Sequence, residues 1–496
     1  MRDDLGRRVV RGAVWMLLAR VLSNALGLIN TAILARLLVP ADFGLVAIAT
    51  ALMGGLVLLR AFSLDMSLIQ NQKAERKHYD TAWTINIAVS SLISVSMVAL
   101  AVPASAFYAD SRVAYILYLL AIAVFVEGFN NVGIVNFRKY FMFNKEFAFM
   151  FSQRVVTVAT AISLALWLRS YWALLGALMV ERIFGTLLSY AMESYRPRLS
   201  LAAFRELFGF SKWLFLNNLL YFVRHRAADF IIAKVSGTQA LGLYTMSYEI
   251  SDLPATEMVA PINRAVFPGF AAVAEHAGAL KSAYLRVMSI VALVTMPAAI
   301  GISAVAPEVV AVLLGDQWSE AAPLIAILAL AGVASAAERT IGYVYIVLGK
   351  PHLLTRIYGA FVFVLVALLL LITPSYGPMG AASACLVAAV IMLPVYLRTT
   401  FRLVGVYIGE FFAIVWRPIL AATLMYVAVI GSREILIQRE VAELEIARLL
   451  LLVGIGAVTY VASVYAFWTI VRKPVGGERF ILDQLKRLWQ QRARRA

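Results

Sequence analysis

The chain has 496 residues, 62% hydrophobic and only 15% charged, with 44 Lys and Arg against 28 Asp and Glu for a formal net charge of +16. A soluble protein would carry about a quarter of its residues as charge, so water-soluble enzymes and nucleic-acid-binding domains are excluded as classes, and the cationic excess reports membrane topology. Mean hydropathy is +0.84, and apolar runs of about 20 residues recur along the chain, continuous rather than alternating, which makes them membrane helices and not barrel strands.

Fourteen such segments can be placed: 13–36, 44–64, 81–106, 113–134, 150–168, 172–192, 213–234, 241–260, 287–313, 322–348, 357–373, 378–397, 411–430 and 449–471. The first contains Arg20 and is too long for the apolar region of a cleavable leader, so none is expected. It carries Arg20, Asn24, Gly27 and Thr31 at i, i+4, i+7 and i+11, one polar stripe on an apolar helix. Segment 2 carries Arg60, segment 4 Glu127, segment 5 Arg154, and segment 6 Glu181 and Arg182.

Segment 7 repeats segment 1. Adding 198 takes Trp15 to Trp213, Ala35 to Ala233, Arg36 to Lys234 and Gly44-Leu45 to Gly242-Leu243, without a gap. The polar stripe matching that of segment 1 is Asn218, Phe222, His225 and Asp229, flanked by Tyr221, Arg224 and Arg226. Segment 8 bears a second stripe, Thr245, Glu249, Asp252 and Thr256, interrupted by Pro254. A weaker repeat at an offset of 211 relates Glu127 to Glu338 and Lys139 to Lys350. Charge at membrane depth, repeated in two halves, points to a transporter with its site between the halves.

With a cytoplasmic N-terminus, the inner loops are 1–12, 65–80, 135–149, 193–212, 261–286, 349–356, 398–410 and the tail from Arg472. They hold most of the cations, while the outer loops hold Arg112, Arg169, Arg433, Arg439 and Arg448. That bias is the positive-inside rule, and it places both termini in the cytoplasm. The expected organisation is an N-lobe of six helices (1–192), a cytoplasmic linker (193–212), a C-lobe of six (213–397), two further helices (398–471) and a basic tail (472–496). Six helices precede the second copy, so the lobes are parallel repeats about an axis along the membrane normal. In the tail, Phe480, Ile481, Leu485, Leu488 and Trp489 fall on one helical face, as expected of either an amphipathic helix on the inner leaflet or a solubilising basic segment.

A guanidinium cannot lose its charge and forks onto phosphate oxygens. Arg20, Arg60 and Arg224 have no acid close in sequence and are read as substrate-facing, with Asn24, Thr31, Asn218, Tyr221 and His225 beside them. Arg154, Arg182 and Arg339 are expected in internal ion pairs such as Glu181–Arg182 or Glu338–Arg339, and Arg226–Asp229 is a ready i, i+3 pair. The carboxylates Asp229, Glu249 and Asp252 could bind a coupling ion, carry a proton, or pair with Arg20 or Arg60 to hold the lobes together. Lys234 and Arg36 are expected to snorkel at the outer face, and the lone Cys385 to pack. The four His (78, 225, 276, 352) show no metal-ligand spacing, there is no Walker A sequence, and no outer loop is large enough for a glycosyl-transfer site. Neither metal nor cofactor is expected.

The stretch Arg36-Leu37-Leu38-Val39-Pro40-Ala41-Asp42-Phe43-Gly44 resembles the signature that follows the first helix of polysaccharide flippases. These are the O-antigen and exopolysaccharide branch, colanic-acid exporters included, of the multidrug/oligosaccharidyl-lipid/polysaccharide exporter superfamily. Pro261-Ile262-Asn263-Arg264-Ala265-Val266-Phe267-Pro268 and Leu314-Gly315-Asp316-Gln317-Trp318 are similar to two further stretches of that family. The resemblance implies an all-α membrane protein of 14 transmembrane helices, two pseudo-symmetric six-helix lobes plus two extra helices around a V-shaped central cavity. It implies translocation of an undecaprenyl-pyrophosphate-linked oligosaccharide across the bacterial inner membrane, by a monomer working beside glycosyltransferases and a polymerase. By motif position Arg20 and Arg60 become the cationic cavity, and helices 13 and 14 line a groove for the lipid tail. The lipid II flippase is a cousin without a specific match here. Two other classes stay open, an ion-coupled small-molecule exporter and a membrane-embedded polysaccharide polymerase or ligase; short outer loops count against the second.

Overall fold

A computed structural model describes residues 2–60, 67–69, 71, 73–204, 212–438, 445–474, 476–480, 482–483, 486 and 490. The side chains of 2–14, 16, 17, 19, 59, 212–215, 260, 261, 264, 265, 277, 437 and 438 fall outside the description, as do most of the tail residues of the expected amphipathic face. Helices occupy most of what is described, and no strand is present among the described residues. Nine described helices are long and apolar enough to cross a membrane, ten if one bent pair is a single span.

The apolar segments of the sequence fall largely on helix; segment 4 is interrupted at residues 128–131 and segment 9 at Val305, and residues 61–64 of segment 2 lie outside the described residues. The first unit begins with α1 (Arg2–Leu37) and α2 (Pro40–Val57). Pro40 opens α2, where its missing N–H costs nothing. The Asp42 carboxylate caps the same turn, accepting from Val39 N at 3.3 Å and from Tyr171 N at 3.0 Å. Next come α3 (Arg76–Tyr108) and α4 (Arg112–Glu127), and after α4 the chain bends by 66° into a short helical stretch ending in α5 (Val135–Lys139). Two spanning helices follow, α6 (Phe143–Leu168) and α7 (Trp172–Met192).

Segments 7 and 8 run together as α8 (Lys212–Leu253), broken at Gly237 with φ 80° and ψ −175°, a conformation that glycine alone adopts cheaply. Pro254 then imposes a π-helical turn before α9 (Val259–Val273). Segment 9 divides into α10 (Ala277–Ala304) and α11 (Ala306–Leu313), and segment 10 is α12 (Ala321–Val347). Segments 11 and 12 form α13 (Pro351–Val404), broken at Gly377 with φ 56°. The last two are α14 (Ile408–Gln438) and α15 (Glu445–Ile470).

By packing, the chain divides into two compact units, Met1–Gly242 and Leu243–Ala496. The division falls within α8 and leaves segment 7 with the first unit, whereas the sequence reading put the boundary in the 193–212 linker. In the first unit, Leu34 and Leu38 of α1 pack on Ala161 and Ala165 of α6 and Ala173 and Ala177 of α7. Small residues opposite leucines bring these helices close, the packing that membranes favour.

The first part of the linker is bound down rather than loose. Asp80 of α3 accepts hydrogen bonds from Tyr195 Oη and from Arg198 N, the latter at 2.8 Å. Thr84 Oγ1 accepts from Ser200 N at 2.9 Å, and Thr81 Oγ1 from Ala203 N at 3.1 Å. Asn131, fully buried, donates to Tyr195 O at 2.8 Å and accepts from Gly133 N at 2.9 Å. Burial, and then the bond to Asp80, pushes the Tyr195 hydroxyl above the usual phenol range, so it stays a donor. Residues 193–203 thus form a strap across the N-terminal end of α3.

In the second unit, Ala304 and Val305 meet Ala421, Ala422, Met425 and Val429 of α14 and Leu452 and Tyr460 of α15. Parts of α10, α12, α13 and α14 surround a cavity of about 1020 Å³ whose walls are apolar apart from Thr295, Arg398, Arg402 and the Tyr407 side chain. Segment 13 shares in these walls through Phe411, Phe412, Val415 and Ile419. The chain beyond α15 is held by Arg417 Nε donating to Glu478 Oε1 at 2.7 Å, both side chains almost fully buried.

Candidate substrate-binding site

Three helices of the first unit meet at one carboxylate. Arg60, in the helical turn after α2, lies 3.1 Å from Glu127 Oε1, and Arg182 of α7 lies 3.0 Å from the same oxygen. Arg60 Nη2 also donates to Ser90 Oγ of α3 at 2.7 Å and to Val124 O at 3.4 Å. Ser90 can come this near because Gly128 ends α4 there: a Cβ on Gly128 would sit 2.6 Å from the Ser90 Cβ. Arg60, with no acid close in sequence, thus finds one in space, and the expected pairing of Arg182 with its neighbour Glu181 is corrected. The acid for both comes from α4, far away in sequence and one helix away in space. Two guanidiniums on one carboxylate leave a net charge of +1, so the cluster stays cationic while its side chains are held in place.

The polar stripe of α1 sits beside α6. Arg20 and Thr31 are half-buried and Asn24 is exposed. Gly27, between them, faces Arg154 of α6. The expected ion pair of Arg154 is not found: among the described residues it has no acidic partner, and its buried Nε has no acceptor.

On α8, Arg226 Nη1 donates to Asp229 Oδ2 at 2.9 Å, the pair read from the spacing, and Asp229 is buried. Asn218, Arg224 and His225 are half-buried and Tyr221 is half-exposed. The Tyr221 and His225 rings stack with centroids 4.0 Å apart, and His225 Nδ1 lies 2.9 Å from Tyr221 O. Phe222 packs on Gly54 and Gly55 of α2. Lys234 donates to Phe107 O at 2.6 Å and lies over the Phe107 ring.

In the second unit, Arg339 donates to both oxygens of Asp252, at 2.9 and 3.1 Å. The expected pairing of Arg339 with Glu338 gives way to this pair, and Arg60 has its acid in Glu127. Glu338 instead accepts from Tyr396 Oη at 2.9 Å. Glu249 is exposed. Among the described residues no group of three or more His, Cys, Asp or Glu could hold a metal ion. Cys385 lies 3.3 Å from Tyr244 Oη in a packed setting.

Residues 33–323 match the family model described as polysaccharide biosynthesis protein. Among curated proteins, the chain is 23% identical over 344 residues to the lipopolysaccharide biosynthesis protein WzxC of Escherichia coli K12, covering 68% of this chain and 70% of that one. It is 23% identical over 326 residues to the succinoglycan biosynthesis transport protein ExoT of Rhizobium meliloti, covering 65% and 66%. Among solved structures, an inward closed conformation of the lipid II flippase MurJ superposes with a TM-score of 0.72 at 14% identity, covering 92% of this chain and 99% of that one. An inward-facing multidrug-resistance transporter of the MATE family gives 0.56 at 15% identity, covering 77% and 95%. At these identities the two structures show a shared fold.

Proposed function

Since the chain belongs to the polysaccharide biosynthesis protein family, we propose that it is a flippase for a polyprenyl-pyrophosphate-linked oligosaccharide, working in the bacterial inner membrane during surface-polysaccharide synthesis. The observation that carries this reading is the Arg60–Glu127–Arg182 cluster: a net positive charge, ordered by a shared carboxylate, within apolar helices. Charge among membrane helices is expensive and commonly marks a substrate or ion path. A pyrophosphate is the chemistry such a fork of donors fits, because each guanidinium offers two parallel N–H groups to phosphate oxygens. The names of the relatives, a lipopolysaccharide biosynthesis protein and a succinoglycan biosynthesis transport protein, agree with it.

In this reading both termini are cytoplasmic and fourteen spans form two six-helix lobes with two added helices. The anionic head enters a cavity between the lobes from the cytoplasm and trades water for arginine contacts. Arg20, Asn24 and Thr31 of α1 and Asn218, Tyr221, Arg224 and His225 of α8 line its path, and the lobes rock to open outward. The polyprenyl chain remains in lipid. The protein acts as a monomer beside the glycosyltransferases that make its substrate and the polymerase that takes its product. Asp229 and Asp252 hold arginines on their own helix or unit, and Glu249, exposed on α8, is a candidate for ion coupling.

Complementation of an export-deficient strain tests the reading. Arg60→Ala combined with Arg182→Ala, at normal membrane levels, should abolish surface polysaccharide and leave lipid-linked repeat units on the cytoplasmic leaflet. Full export by the double variant would overturn it. Chain elongation by the purified protein would replace it with a polymerase.

A further inference from the structure

The arginines with identified acidic partners inside the helices fall into a pattern. Arg60 and Arg182 share Glu127, Arg226 has Asp229, Arg339 has Asp252, Arg433 has Glu308 and Arg417 has Glu478. Arg154 departs from it. Among the described residues it makes neither a hydrogen bond nor an ion pair, and its Nε is buried with nothing to accept from it.

Its position makes this costly. Arg154 is the twelfth residue of α6, which runs Phe143–Leu168, so it lies about 16 Å along the helix from its inner end at 1.5 Å per residue. That is mid-membrane depth, too far for an arginine stem to snorkel to either face. An unpaired cation here is an expense that structure alone does not explain.

The surroundings are shaped for it. The helices α1 and α6 run side by side in one register: the rings of Trp15 and Phe147 lie 5.1 Å apart, and Leu34 packs on Ala161. Between those contacts Gly27 faces Arg154, seven residues before Leu34 as Arg154 is before Ala161. A Cβ on Gly27 would come within 2.5 Å of Arg154 Nη2, so the absent side chain is the slot in which the guanidinium lies. Along α1, Asn24 is one turn before Gly27 and Thr31 one turn after. Asn30 Oδ1 is buried without a partner. The place holds a fixed cation with an amide and a hydroxyl nearby, and no carboxylate of the described residues pairs with the cation.

We propose that Arg154, seated in the Gly27 slot, is an anion-binding residue that takes a phosphate of the lipid-linked substrate. This rests on the flippase reading above. It adds a contact on α6 that the family motif does not mark and that the sequence suggested was an internal ion pair. The guanidinium waits unpaired because its partner is the cargo, which supplies the missing acceptors for Nε and Nη2 and leaves again.

The test measures binding of farnesyl pyrophosphate, inorganic pyrophosphate and farnesol to the full-length protein in nanodiscs, with thermal unfolding alongside. Wild type should bind farnesyl pyrophosphate well above either fragment. Arg154→Gln should weaken that binding at least tenfold and raise the melting temperature, because an uncompensated charge is gone. Arg154→Lys should keep part of the affinity, and Gly27→Val, which fills the slot, should lose it. If wild type binds none of the probes, the flippase reading fails. If wild type binds and Arg154→Gln binds equally well, the inference fails while that reading stands. A lower melting temperature for both Arg154→Gln and Arg154→Lys, with affinity kept, would make Arg154 structural and also overturn it. Equal affinity for inorganic pyrophosphate would overturn the lipid as the source of the phosphate.

Discussion

Gly44 and Gly242 show what a single residue decides here. A Cβ on Gly44 would overlap the Thr238 carbonyl and come within 2.8 Å of Gly242 N; one on Gly242 would overlap the Pro40 carbonyl and come within 3.0 Å of Gly44 N. Pro40 and Thr238 are 198 apart, as are the two glycines, so the sequence repeat meets itself backbone to backbone. Gly44→Ala should therefore lower the melting temperature, at an overpacking cost of about 1–3 kcal/mol. Gly269→Ala in α9, where nothing lies within 4 Å, should be neutral or stabilising by up to about 1 kcal/mol. Equal melting of the two variants would refute the close crossing. Ion pairs sort by reach. Arg226–Asp229 was legible because both partners lie on one helix at i, i+3. Arg339–Asp252 was not, because 87 residues separate them and only the packing of α8 on α12 joins them. Between α3 and α4, the hydrogen bonds from Arg112, at 2.7 Å for Nη2, hold the Asp110 carboxyl below its usual range. That stabilisation is present above the unfolded carboxylate range and is lost as pH falls through the lowered folded value. Arg112→Ala should thus melt slightly lower than wild type at pH 7, by well under about 1 kcal/mol for so exposed a pair, and the gap should close on acidification to pH 3.

Among the elements, helices were the easiest thing to read and their breaks the hardest. Continuous apolar runs fix helix in lipid because every backbone group must be satisfied locally. Whether a run bends is set by single residues whose effect depends on context. Gly237 and Gly377 take positive φ and turn their helices, while other glycines such as Gly54 and Gly185 stay helical and serve contact with Phe222 and Gln153. The strap was invisible to hydropathy, because a polar stretch with Arg196, Pro197 and Arg198 looks like any solvated loop. Its hold lies in side chains of α3. Asp80→Ala should leave Arg198 N and the Tyr195 hydroxyl without their acceptor, costing about 1–3 kcal/mol. Limited proteolysis should then cut near Arg196 and Arg198, where wild type resists; an unchanged cleavage pattern would show that the strap is held elsewhere. At the other end of the chain, Arg417→Ala orphans the buried Glu478 and should cost about 3–5 kcal/mol, releasing the segment after α15 to the same protease.

At the scale of the whole molecule, composition alone gave a helical membrane protein, and the repeat gave a reason to divide it. The division by packing comes after Gly242, because the strap and α8 keep residues 193–242 with the first unit. The site was legible as residue types on helices, in the stripe of α1, Arg60 in the turn after α2, and the arginines of α6 and α7. Its wiring was not, since Glu127 gathers Arg60 and Arg182 across three helices and Gly27 makes room for Arg154 without any charge to announce it. The strap also bears on how the chain is made. Asp80 leaves the ribosome more than a hundred residues before Tyr195 and Arg198, so its carboxylate has no backbone donor from the strap until six apolar segments have entered the bilayer. Synthesis past residue 203 therefore supplies a latch that fastens the first six segments before the remainder is translated, and a nascent chain halted there should already protect its early loops from the translocon's quality-control proteases.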